Sequence, residues 1–127
     1  MRVHSLHHAQ ITVPLDAEGE ARSFYVDVMG LHEIPKPDAL RGRGGFWLRA
    51  ESDPVELHVG LEESPSGRTT KAHLAWRVVD LAGWRRRIEQ AGCVVDQSIP
   101  IPGADRFEFR DPFGNRVELI EPHPSAD

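Results

Sequence analysis

Two histidines and two glutamates stand at repeated positions in this chain. His8 opens the run His8-Ala-Gln-Ile-Thr-Val13, and His73 opens His73-Leu-Ala-Trp-Arg-Val78. Glu56 sits in Val55-Glu56-Leu57, and Glu118 sits in Val117-Glu118-Leu119. The histidines lie 65 residues apart and the glutamates 62. Neutral imidazole nitrogens and carboxylate oxygens are good donors to a divalent ion. Such an ion acts as a Lewis acid, stabilising an enolate or an oxyanion beside the reacting carbon. A lone strand histidine is more often a surface residue, and a lone strand glutamate on the outer face is usually solvated. Duplication of both residue types shifts the weight toward a metal centre.

Strands have to place these four side chains. Ile11 and Val13, Leu57 and Val59, Leu74 and Val78, and Val117 and Leu119 alternate with polar neighbours. If the apolar members face helices, His8, Glu56, His73 and Glu118 face the other side of the sheet. His58 shares the face of Glu56 and reads as a supporting group, an alternative ligand or a surface histidine. Trp47, Arg49, Arg77, Arg106 and Arg116 fall on the same side by alternation. Arginines around a metal suit an anionic substrate such as a carboxylate or phosphate. Trp47, Arg49, His58 and Arg106 are the substrate-binding candidates, with Arg106 foremost because it follows the Pro102-Gly103 loop. Trp47 can stack on a ligand or fill a dimer interface.

The remaining punctuation gives the element order. A strand over 5–13 ends at Pro14. A helix over 17–29 has Asp16 as a candidate N-cap and Gly30 just past its end. Strands follow at 31–34, 46–50 and from 55, with 41–45 as a loop and 62–70 as a polar linker. The order then repeats: a strand over 72–79, a helix over 81–91 capped by Asp80, and strands at 93–95, 106–110 and around 117–119. Asp111-Pro112-Phe113-Gly114 has a type I turn signature. The chain therefore reads βαβββ twice, an α+β fold built from a repeated unit.

Composition sets the bounds. At 127 residues, 39% hydrophobic and 28% charged, the chain suits one domain or two small units sharing a core. A net charge of −5 argues against non-specific nucleic-acid binding. No apolar run is long enough to span a membrane, and no secretory signal stands at the N-terminus. The single cysteine, Cys93, excludes an internal disulfide and suits a reducing cytoplasmic location.

His8-Ala-Gln-Ile-Thr-Val, Phe24-Tyr25 followed by Met29-Gly30-Leu31, His73-Leu-Ala-Trp-Arg-Val-Val-Asp-Leu and Asp111-Pro-Phe-Gly-Asn-Arg-Val-Glu118-Leu carry a resemblance. Over nearly its whole length the chain resembles the vicinal oxygen chelate superfamily. That group includes glyoxalase I, methylmalonyl-CoA epimerase, fosfomycin-resistance thiol transferases, extradiol dioxygenases and bleomycin-resistance proteins. The resemblance implies one domain over 1–127, with βαβββ modules at 1–64 and 65–127 forming a cup-shaped mixed sheet with helices outside. It implies metal ligands at His8, Glu56, His73 and Glu118, and a carboxylate at Glu56 or Glu118 that leaves the metal to move a proton. A complete four-residue set leans toward a glyoxalase-like lyase or isomerase using one Zn, Ni, Co or Mn ion per site. The alternatives are a metal-free drug or metabolite binding protein and an Fe(II) dioxygenase using two histidines and one carboxylate. Short members of the superfamily imply a homodimer, with a small molecule as the other partner.

Overall fold

The computed structural model describes residues 1–63 and 70–125. The chain divides into two compact units, Met1–Pro65 and Ser66–Asp127. In the first, β1 (His8–Val13) leads into α1 (Glu18–Arg22), which continues as a π-helical stretch over Ser23–Val28. After these come β2 (His32–Ile34), a 3₁₀ stretch over Asp38–Arg43, β3 (Phe46–Arg49) and β4 (Glu56–Leu61). The sheet order is β1-β4-β3-β2. β4 returns parallel to β1, and the other neighbours are antiparallel.

The second unit repeats this plan. β5 (His73–Arg77), α2 (Leu81–Gln90), β6 (Val95–Asp96), β7 (Ala104–Arg110) and β8 (Arg116–Pro122) form a sheet of order β5-β8-β7-β6. Only β5 and β8 pair in parallel. The expected α+β class with two βαβββ units is therefore the observed one. Period-two alternation sorts the side chains: Phe46, Leu48, Leu57 and Val59 are buried in one unit, and Phe107, Phe109, Val117 and Leu119 in the other.

Local details differ from the sequence expectation. The helix expected over 17–29 is α-helical only to Arg22. Met29 N–H then donates to Phe24 O at 2.9 Å, an i→i−5 bond that brings Met29 inward with Phe24 and Tyr25, all three buried. Asp16 does not cap this helix; Ala17 holds the N-cap position without a side-chain bond. β1 starts at His8 rather than Ser5, because its ladder with β4 begins at the His8–Glu56 pair. The loop expected at 41–45 is partly 3₁₀. Of the expected linker, 64–69 lie outside the described residues. Among the described residues no helix is long and apolar enough to cross a membrane.

Asp80 caps α2 as expected, its Oδ1 accepting from Gly83 N–H at 3.1 Å. A second carboxylate joins it. Glu121 accepts from the backbone N–H groups of Asp80 and Leu81, each at 3.0 Å. This ties the positive end of α2 to β8. Glu121→Ala is expected to lower stability by about 1–2 kcal/mol, with Glu121→Gln losing less, read by urea denaturation.

Candidate functional site

In the second unit the turn at 111–114 joins β7 to β8 in a register that sets Glu108 directly opposite Glu118. Like charges facing each other across a ladder repel. Two arginines offset this. Arg106 Nη1 lies 3.1 Å from Glu118 Oε1 and 3.5 Å from Glu108 Oε1. Arg116 Nε donates to Glu108 Oε2 at 2.6 Å, and its Nη2 reaches the same oxygen.

β5 brings His73 to this group, its Nε2 3.3 Å from Glu118 Oε1. Its Nδ1 lies 2.9 Å from the Lys71 carbonyl oxygen. A carbonyl only accepts, so Nδ1 carries the proton. Nε2 then turns toward a buried carboxylate oxygen. Either a proton shared between the two or a metal ion makes that approach favourable. His73, Glu108 and Glu118 each offer a ligand atom, all within 4.8 Å of one another, the single such group among the described residues. One imidazole nitrogen and two carboxylate oxygens fit a divalent transition ion.

The first unit is built differently. Its ladders place His8 against Glu56, and Trp47 against His58. Trp47 stacks on His58 with centroids 3.9 Å apart, and His58 stacks on His8 at 4.1 Å. His58 Nε2 meets Glu56 Oε1 at 2.9 Å. That hydrogen bond holds the Glu56 carboxyl below the usual carboxylate range against the opposing pull of burial, with smaller help from the charges of His7, His58 and Arg49. An ion is bound in the plane of an imidazole, at about 2.1 Å from its nitrogen. Two rings lying face to face cannot both aim at one ion, so His8 and His58 do not share a metal in this arrangement.

Beside the stack lies a cavity of about 470 Å³, lined by His8, Gln10, Lys36, Arg43, Trp47 and His58 among others, with no Asp or Glu among its described lining residues. Gly44, which lines it, is followed by Gly45 at φ +82°, where a Cβ would run into the Val59 carbonyl oxygen. His58→Ala is expected to let the Glu56 pKa rise, read by NMR titration of the carboxyl carbon. A carboxyl lowered on folding adds stability above its unfolded pKa and loses it as pH falls through the lowered value. The wild type should therefore lose more stability than the variant over that acid window.

The ladders also re-index the repeat. His8 pairs with Glu56, but His73 pairs with Arg116, and Glu118 lies two residues further on, beside Ala75. Rung for rung, the counterpart of Glu118 is His58, and that of Glu56 is Arg116. The matching Val-Glu-Leu segments mark the same strand and the same face, not the same rung, because a two-residue shift preserves the face.

The sequence profile described as the Glyoxalase/Bleomycin resistance protein/Dioxygenase superfamily matches residues 5–119. The chain belongs to this superfamily. No curated protein matches it. Among solved structures it is similar to a protein assigned to the glyoxalase family from Bacillus anthracis, at 34% identity and TM-score 0.86, covering 97% of this chain and 100% of that one. It also shares its fold with TnmS3, an antibiotic binding protein from Streptomyces sp. CB03234, at 21% identity and TM-score 0.76, covering 97% and 99%. A third likeness is to the fosfomycin resistance protein FosX of Listeria monocytogenes, solved with Mn(II) and sulfate, at 16% identity and TM-score 0.75, covering 97% and 93%.

Within this superfamily member, one unit gathers His73, Glu118 and Arg106, and the other gathers His8, Glu56, His58 and Trp47. Arg49 is exposed opposite Glu56, and Arg77 is exposed. Glu108 was not among the residues singled out from sequence. The alternation that turns Arg106 to this face turns Glu108 there as well, between buried Phe107 and Phe109.

Proposed function

We propose that this superfamily member is a metal-dependent lyase or isomerase of the glyoxalase type, acting on a small oxygenated anion. The observation that carries this is His73. Its Nδ1–H is committed to the Lys71 carbonyl, and its Nε2 is turned to Glu118 with Glu108 alongside. The proposed ligands are His73 and Glu118 in the second unit and His8 and Glu56 in the first. Bound there, a Zn, Ni, Co or Mn ion would supply Lewis acidity to a substrate oxygen. Glu56 is the proposed proton acceptor; its hydrogen bond from His58 keeps the carboxylate ionised through the neutral range while making it a weaker base. The cavity's Lys36 and Arg43, with no carboxylate among its described lining residues, favour an anion, and the Trp47–His58 stack gives it a flat wall. We place the protein in the cytoplasm as a homodimer, which light scattering at working concentration tests.

The same cavity favours a second reading, a metal-free binding protein for a drug or metabolite. Metal content separates the two. Tag-free protein, loaded with divalent ions and freed of excess, is expected to retain about one Zn, Ni, Co or Mn per site, and a lyase–isomerase substrate screen follows. Retained iron with oxygen uptake would move the assignment to a dioxygenase. No retained ion would leave the binding protein.

A further inference from the structure

Glu118 Oε1 is contested. It faces His73 Nε2 at 3.3 Å on one side and Arg106 Nη1 at 3.1 Å on the other. A divalent ion ligated by this oxygen places new positive charge beside the guanidinium, and a bound ion is the largest local charge in such a site. Arg106 is otherwise thinly held. Its Nη1 reaches Glu108 Oε1 only at 3.5 Å, its Nη2 donates to the Ile99 carbonyl at 2.9 Å, and its Nε–H is buried with no acceptor among the described residues. A buried donor without a partner is unfavourable, so the Glu118 charge is the main anchor of this conformation. Arg116 is different: two of its nitrogens meet Glu108 Oε2 and a third donates to the Lys71 carbonyl, and it makes no ion pair with Glu118.

Resting on the metal-centre reading above, we propose that Arg106 competes with the divalent ion for Glu118 Oε1, so that metal loading releases its guanidinium to take a carboxylate or phosphate group of the substrate. The Arg106 guanidinium is thereby available to an anion only at a loaded site. The orphan Nε–H supports this, since an incoming oxyanion can accept from Nε and Nη2 together, the paired geometry that arginine favours.

The test is a Zn²⁺ titration of chelator-stripped protein against a chromophoric chelator, for wild type, H73A, R106Q and R116Q. R106Q is expected to bind Zn²⁺ at least tenfold more tightly than wild type, and R116Q to change less than threefold. Equal tightening in both would reduce the effect to net charge, and unchanged or weaker binding in R106Q would remove the competition; either overturns the proposal. A second readout is the Arg106 Nε–H resonance, assigned by its loss in R106Q. Zn²⁺ should shift it and speed its exchange with water, and an unmoved resonance at saturation overturns the release. The two readings fail separately. Wild type that binds no Zn²⁺ sinks the metal centre and the competition with it, whereas binding that is lost in H73A but unimproved in R106Q sinks the competition alone.

Discussion

Replacing His73 by alanine is expected to weaken divalent-ion binding by about a thousandfold or more, roughly 4 kcal/mol. Metal-dependent turnover should fall by a similar factor. The imidazole is pre-set for this role: the Lys71 carbonyl accepts a hydrogen bond from Nδ1–H, which fixes both tautomer and ring orientation before any ligand arrives. Alanine removes the nitrogen and leaves Glu118 facing Arg106 alone. Glu118→Gln should behave similarly by removing the charge while keeping the shape. His32→Ala, an exposed change on β2, is the control expected to bind metal normally. Calorimetric titration with Zn²⁺ and circular dichroism of each variant separate ligand loss from misfolding. Normal metal affinity in H73A would remove the centre proposed here.

Asp111→Ala is expected to have the largest effect on stability, about 3 kcal/mol. Asp111 is 4% exposed and opens the turn between β7 and β8. Its Oδ1 accepts from Phe113 N–H at 2.9 Å and Asn115 N–H at 2.8 Å, and its Oδ2 accepts from the Asn115 amide at 3.0 Å. Alanine strands these donors in a buried turn, where each missing partner costs about 1–3 kcal/mol. Asp111→Asn keeps one acceptor oxygen and should lose less. Urea unfolding midpoints measure this directly. Metal binding should weaken too, because this turn sets the register that places Glu108 across from Glu118. A D111A protein as stable as wild type would show that the strands hold their register without the turn.

The two βαβββ units were legible because the signals for them are local and repeat. Apolar alternation marks the buried faces of the strands, Asp80 opens the second helix, and Asp111-Pro112-Phe113-Gly114 announces its own turn. The first helix was harder to read. The inward pull on Phe24, Tyr25 and Met29 together is a packing demand, and it widens the backbone into a π turn that helical periodicity does not anticipate.

At the site, strand parity put His8, Glu56, His73 and Glu118 on a common kind of face, because side-chain direction alternates strictly with position. Parity is blind to a two-residue slide between neighbouring strands. Only the ladder hydrogen bonds show that Glu118 answers to His58 and Glu56 to Arg116. Which partners a charged side chain chooses is likewise a matter of tertiary distance. Glu108 joins His73 and Glu118, Arg106 and Arg116 neutralise the facing carboxylates, and His58 is drawn between two rings while binding Glu56. Residue type and spacing supply the donors and their face; the register of the sheets decides which donors meet, because interactions of a few ångströms are set by strand pairing rather than by order along the chain.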